Sequence, residues 1–218
     1  GKEDQVEPLQ RNALELAKSV AKEATGEPPL VAGNRVFMGN GEENISDTTM
    51  GAVVAIDALK TGDITETGQQ WRVDELMVSR SAPLLIDDRL WVFDDRAKLH
   101  ILDANTGERI GRRIALGTVM RASSLYADGK VYAFTANGRW AILVPDQDKG
   151  ATILKKGRLP RGEECHASPI CYQGRIYLLS TGGLYCLVDP EKSPVIASDS
   201  DTASTPEAPV SQDTQPAH

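Results

Sequence analysis

Three cationic side chains recur at one place in a repeated pattern. The 218-residue chain carries PLVAGNRVF at 29–37, PLLIDDRLW at 83–91, SLYADGKVY at 124–132 and PICYQGRIY at 169–177, and these align without a gap. The residue three before each first position is Gly26, Arg80, Arg121 and His166. If equivalent positions of successive repeats surround one axis, Arg80 and Arg121 act there as fixed donors and His166 as a titratable one. Such a set suits an anionic group or a partner loop. The competing reading is solvated charges at strand starts, pairing with neighbouring carboxylates for little net stability.

A second group is acidic. Aligning the repeats leaves eight extra residues in the first, within the loop 40–50 that holds Glu42, Glu43, Asn44 and Asp47. Insertions in repeat proteins fall in loops on one face and often mark the binding face. With Asp94 and Asp95, these carboxylates would ring the same opening as the cations. Their hard oxygens make Glu42, Glu43 and Asp47 a weak calcium candidate, although they lack the alternation of an EF-hand loop, and a solvated loop competes with it. Cys165, Cys171 and Cys186 all fall in the last repeat. A metal site on Cys165, His166 and Cys171 would have a spacing unlike a zinc knuckle and no fourth ligand. The favoured reading makes the strand cysteines small apolar core residues, with a disulfide open to an exported chain.

The elements that must position these groups are short strands. Residues 81–107, SAPLLIDDRLWVFDDRAKLHILDANTG, read as three strands and two tight turns. Successive repeats are offset by 54, 41 and 45 residues, the period of a four-stranded propeller blade. The first repeat is expected to place strands at 30–32, 35–39 and 53–57, with Trp71 in a fourth. The second places its outer strand at 110–116, and the third at 152–155. Asn137-Gly138 predicts a type I′ hairpin, and Asp103, Thr106 and Gly107 supply turn chemistry. In the last repeat 176–179 and 184–188 pair across Thr181, Gly182 and Gly183, with no clear fourth strand. Phe37, Trp91, Phe93, Tyr132, Phe134, Tyr177 and Tyr185 alternate at strand spacing and read as core.

Outside the repeats, apolar residues at 9, 13, 14, 16, 17, 20, 21 and 24 predict one amphipathic helix, docked on the edge of the first blade. After Pro190 the Ser, Thr, Asp, Ala and Pro composition predicts a disordered tail. The expected division is 1–26 polar segment and helix, 27–190 repeats and 191–218 tail. The formal charge is −7, and removing the tail carboxylates Asp199, Asp201, Glu207 and Asp213 leaves −3. That balance argues against a nucleic-acid partner, which needs clustered Lys and Arg. No apolar run approaches the roughly 20 residues of a membrane span. The first residue, Gly1, is expected to mark a processed chain or a piece of a longer one.

These residues resemble the repeats of the pyrroloquinoline-quinone-type propellers, a family that includes quinoprotein alcohol dehydrogenases and the barrel-assembly lipoprotein of the bacterial outer membrane. Its blade reads approximately as Ser-x-Pro, aliphatics, a Gly turn, a basic residue, Val, Tyr, then Leu-Asp-Ala-x-Thr-Gly and soon a Trp. Ser81, Pro83, Leu102, Asp103, Ala104, Thr106 and Gly107 match it, Thr67, Gly68 and Trp71 match its closing part, and Pro29 and Pro169 hold the anchor position. PLVAGNRVFMGNGEE and GDITETGQQW look especially like large propeller-repeat proteins of planctomycete-type bacteria. The resemblance covers residues 29–190. It implies that Trp71 packs on the neighbouring blade. Gly111 or Arg112 stands where the second blade should carry its Trp, so a degenerate or truncated ring is implied. Three arrangements stay open: the C-terminal half of a longer propeller, which Gly1 favours, an open sheet stack, or a half ring that dimerises.

The quinoprotein enzymes need an Asp base, a calcium held by Glu and Asn, an Arg near the quinone and usually a disulfide between adjacent cysteines. This chain has no adjacent Cys pair and no motif supplying the other parts together. The expectation is therefore an all-β propeller of about four four-stranded blades without catalytic residues or cofactor. It would bind a protein or a carbohydrate-like ligand through Arg80, Arg121, His166 and Asp95, in the periplasm or outside the cell, free or associated with a membrane. The alternative is the C-terminal part of a dehydrogenase whose pyrroloquinoline quinone, calcium and catalytic residues belong to an upstream segment.

Overall fold

The structure is a computed structural model that describes residues 31–44 and 48–189. The expected helix at 9–24, Gly26, Pro29, Asp47 and the expected tail lie outside the described residues. The chain divides into two compact units, Gly1–Leu187 and Val188–His218. Of the second, only Val188 and Asp189 are described, both exposed.

The first unit is built of antiparallel sheets whose strands run in chain order. The first sheet holds β1 (Val31–Ala32), β2 (Arg35–Glu43), β3 (Met50–Asp57) and β4 (Gln69–Asp74). The second holds β5 (Leu84–Ile86), β6 (Arg89–Phe93), β7 (Lys98–Asp103) and β8 (Ile114–Ala115). The third holds β9 (Leu125–Ala127), β10 (Lys130–Phe134), β11 (Arg139–Asp146) and β12 (Gly150–Arg158). The last holds β13 (Ile170–Tyr172), β14 (Arg175–Leu179) and β15 (Leu184–Leu187). Among the described residues the architecture is all-β, as expected of the repeats, with one blade per repeat.

Local chemistry explains the hairpins. Asp128-Gly129 and Gln173-Gly174 each take positive φ at both positions of a two-residue loop, the type I′ geometry that matches strand twist. The Asn137-Gly138 turn differs from expectation. Gly138 alone has positive φ there, at 73°, and Thr135 N donates to Arg139 O at 2.8 Å while Gly138 N donates to Thr135 O at 3.0 Å. This is a type I turn closed by a left-handed Gly, and the Thr135 hydroxyl, bonded to Asn137 Oδ1 at 2.7 Å, selects it.

Strand lengths also depart from the sequence reading. β2 runs to Glu43 and pairs with Met50, so the extra residues lengthen a hairpin instead of forming a free loop. Asn44 organises its end, with Nδ2 donating to Thr49 Oγ1 at 2.8 Å and to Gly51 O at 3.3 Å. β8 is only two residues long because Gly111, at φ 68°, turns the chain between the Leu102–Arg109 bridge and Ile114.

Each blade presents one face forward, to the blade after it, and the other backward. Alternation decides which residues lie where. Phe37, Val53, Ala55 and Trp71 face forward from the first blade onto Leu90, Val92, Leu102 and Ala104. Trp91, Phe93, Leu99 and Ile101 face forward from the second onto Val131, Ala133, Ala141 and Leu143. Tyr132, Phe134 and Trp140 meet Leu178, Tyr185, Cys165 and Leu159. Cys171 and Cys186 are exposed, contrary to the core role expected of them, and Cys165 in the segment before β13 is the buried one. Cys186 sits opposite Tyr177 on the forward face of the last blade, where no described sheet covers it. All three thiols are free.

Trp71 does pack on the neighbouring blade. Its Nε1 donates to Ala104 O at 3.0 Å, its ring lies 5.8 Å from that of Phe37, and a Cβ on Gly107, at φ 77°, would stand 2.8 Å from the indole. Trp71→Ala is expected to lower the unfolding free energy by about 3–5 kcal/mol and Gly107→Ala by about 1–3 kcal/mol, measured by urea denaturation. Combined with Trp71→Ala, the steric part of the Gly107→Ala loss disappears, and additive losses would show that the contact is not responsible.

Candidate functional site

The segments that lead into the blades are irregular, so their backbone groups need partners from elsewhere. They find them on the turns between second and third strands. Val78 N donates to Asn40 O at 3.1 Å, and Asp95 N to Met77 O at 2.8 Å. Met120 N donates to Asp95 O at 2.9 Å, and Ala136 N to Val119 O at 2.9 Å. Cys165 N donates to Ala136 O at 3.1 Å, and Thr181 N to Glu164 O at 2.9 Å. Beside this row, Ala82 N donates to Ser123 Oγ at 3.0 Å and Ser123 N to Ser168 Oγ at 2.9 Å. Each lead-in is thus tied to turns of its own blade and of the blade before it.

Arg80, Arg121 and His166 sit on these tied segments and are exposed. Neither Arg80 nor Arg121 forms a side-chain hydrogen bond or ion pair among the described residues. His166 Nε2 lies 2.9 Å from Glu164 Oε2 in a pair open to solvent, which contributes little stability. Asp95 is half-buried and already engaged: Oδ1 accepts from Ser79 N at 3.1 Å and Oδ2 from Ser79 Oγ at 2.6 Å. Gly41 presses on this pair, since a Cβ there would lie 2.6 Å from Ser79 Cβ and 3.0 Å from Asp95 Oδ2. Glu42 and Glu43 are exposed at the end of β2. Pro83 is buried ahead of β5, and Pro169 likewise ahead of β13. Asp103 Oδ1 accepts from Asn105 N at 2.8 Å and Thr106 N at 2.9 Å, closing the turn that ends in Gly107.

Asp94 does not join the opening, contrary to expectation. It is buried, and its Oδ1 accepts from Arg96 N at 3.0 Å and Lys98 N at 2.8 Å. Its Oδ2 lies 3.2 Å from His100 Nε2, whose Nδ1 faces Arg109 Nη1 at 3.1 Å. With Nδ1 accepting from a guanidinium, Nε2 is the donor to Asp94. Burial pushes the Asp94 carboxyl up, but the hydrogen bonds from His100 and Lys98 and the nearby Lys98 charge outweigh it and hold it below the usual value.

Sequence reasoning missed a second polar cluster, in the last blade. Glu163 Oε2 accepts from Ser180 Oγ at 2.5 Å and from Tyr185 OH at 2.7 Å, and this carboxylate pushes the Tyr185 phenol up. Its members are distant in sequence and carry no motif. The Cys165 thiol is pushed up by burial and points to Ala167 O at 3.4 Å. Among the described residues no three His, Cys, Asp or Glu side chains gather as metal ligands, so Cys165, His166 and Cys171 do not form such a set. The buried hydroxyls of Ser81 and Ser124 have no partner among the described residues.

Small antiparallel sheets that follow in chain order, packed forward face on backward face, are the blades of a β-propeller. Solved structures agree. The crystal structure of BamB from Moraxella catarrhalis is similar at 24% identity, over 71% of this chain and 43% of that one, with a TM-score of 0.53. The computationally designed Ika8 protein is similar at 13% identity over 73% and 44%, TM-score 0.54. The designed Ika4 protein is similar at 14% over 72% and 87%, TM-score 0.53. The chain spans less than half the length of the first two, and at these identities the likeness is one of fold. No family model and no curated protein sequence matches the chain.

Because the folded Asp94 carboxyl titrates below its unfolded value, near 3.9, its stabilising effect is present above about pH 4 and lost as pH falls through the folded value. Asp94→Asn puts an amide N–H against the His100 donor. It is expected to cost about 1–3 kcal/mol at pH 7 and to flatten the acid limb of a stability–pH curve from urea unfolding. An unchanged acid limb would show that another carboxylate governs it.

Proposed function

We propose that the chain is a non-catalytic binding or scaffold module of the quinoprotein-like repeat family, acting in the periplasm or outside the cell, with its lead-in face as the contact surface. The observation that carries this reading is the pair of exposed guanidinium groups, Arg80 and Arg121. Both are free of ion pairs among the described residues, on backbone held in place by blade-to-blade hydrogen bonds. A held backbone lowers the ordering cost of binding. Arg supplies a planar fork suited to a carboxylate on a protein loop or an acidic sugar, and His166 adds a donor on the same side. The buried acid–base groups, Asp94 with His100 and Glu163 with Tyr185, are engaged in internal hydrogen bonds, which favours binding over catalysis. Membership of the family rests on the repeat residues 81–83 and 102–107 together with the fold. No helix among the described residues is long and apolar enough to cross a membrane.

The alternative, a fragment of a quinone-dependent dehydrogenase, is distinguished by ligand. Titration with a Glu-rich synthetic peptide and with an oligogalacturonate is expected to show salt-sensitive binding of one of them. Arg80→Ala and Arg121→Ala should each weaken it about tenfold or more. Binding that ignores both substitutions would remove the lead-in face from consideration. Pyrroloquinoline quinone with calcium is expected to leave the melting temperature unchanged, and an upward shift would favour the dehydrogenase.

A further inference from the structure

The forward face of the last blade is apolar and uncovered. Ile170, Tyr172, Leu179 and Leu184 are between 61% and 69% exposed apart from Leu179 at 56%. Strand pairing puts them on one side of the sheet, with Leu179 opposite Leu184 and Ile170 opposite Tyr177. Counting from the repeat anchor, Tyr172 and Leu179 occupy the positions of Ile86 and Phe93 in the second blade, and Leu184, paired with Leu179 as Leu99 is with Phe93, takes the place of Leu99 across a hairpin one residue shorter. There they are at most 4% exposed, because the third blade packs on them. The residue types are those of an interface, and among the described residues the covering sheet is missing.

A polar position points the same way. The basic residue of the repeat reaches across two of the packed interfaces. Arg35 Nη1 donates to Asn105 Oδ1 at 2.7 Å, and Arg89 bonds to Asp146 O and, at 2.9 Å, to Gln147 O. These acceptors lie in the turn that follows the third strand of the next blade. Arg175 holds this position in the last blade and has no side-chain partner among the described residues.

The complementary surface is present on the same chain. A backward face carries a set of mainly aliphatic residues, Leu90, Val92 and Leu102 in the second blade and Val131, Ala133 and Leu143 in the third. In the first blade the same positions hold Val36, Met38 and Ile56, with Val54 beside them. Met38 is 51% exposed, and no described blade precedes it.

We propose that the forward face of the last blade docks a second copy of this chain through the backward face of that copy's first blade. The contact is head-to-tail, so each chain offers both halves, and two copies joined twice close a ring. Two chains with four described blades each reach the upper end of common propeller sizes, about eight blades. Arg175 then finds acceptors in the turn after β3 of the second copy, as Arg35 and Arg89 do within the chain.

Sedimentation equilibrium of the full chain tests this. The wild-type chain is expected at twice its monomer mass. Leu184→Lys and Met38→Glu alter side chains already exposed in the single chain, so circular dichroism should stay unchanged while the dimer constant weakens at least about tenfold. Because each variant spoils a different half, an equimolar mixture keeps one intact contact and should recover a one-to-one pair that neither forms alone. A wild-type monomer well above micromolar concentration, a dimer indifferent to Leu184→Lys, or open head-to-tail polymers would each overturn the proposal.

Discussion

The row of backbone hydrogen bonds from Asn40 to Thr181 is the constraint on which the lead-in face depends. A lead-in segment is neither helix nor strand, and an unpaired N–H or C=O within it would cost free energy once water is displaced. The turn of one blade supplies the missing partners for its own lead-in and for the next one. Asp95 carries four such bonds: its N–H to Met77, its carbonyl from Met120, and its carboxylate from the amide and hydroxyl of Ser79. A side chain exposed on this backbone therefore sits on a surface whose geometry is set by packing elsewhere.

That packing is repetitive, and stability is close to a sum of neighbouring contacts. Forward faces carry the large rings, Phe37, Trp71, Trp91 and Phe93, and backward faces carry smaller aliphatic groups, so bulk meets space at the first two junctions. The tie made by Arg35 and Arg89 adds direction to a contact that apolar area alone would leave free to slide. Gly107 belongs to the same logic, for only a residue without a Cβ lets the turn after β7 lie against the Trp71 indole.

Polar groups divide into two kinds by where the ties leave them. Asp94, His100 and Arg109 form a bonded line inside the second blade, and Glu163, Ser180 and Tyr185 cap the last. Arg80 and Arg121 are exposed and have no described counter-charge, the feature on which the proposed contact surface rests. Two adjacent carboxylates show how sharply this is decided, since Asp94 turns inward to its own hairpin while Asp95 turns to Ser79.

The repeat itself was legible in the amino-acid sequence. Its anchors, its alternating aromatics and the Asp103 to Gly107 turn are local patterns, and local patterns determine strands, turns and which residues share a face. Trp71 on the neighbouring blade was legible for the same reason, being a fixed part of a repeated unit. What needed the tertiary structure was anything decided by a partner distant in sequence. Residues 40–50 read as a loop, yet β2 extends to Glu43 because β3 pairs with it and Asn44 closes the end. The strand cysteines read as core, yet Cys186 is exposed because a strand residue is buried only if a second sheet covers its face. The Ser79 to Asp95 bond and the Glu163 cluster join residues 16 and 17 or more positions apart, and no periodicity predicts such meetings. Residue types thus determined the blade, while contacts between blades decided which of its charges stay free.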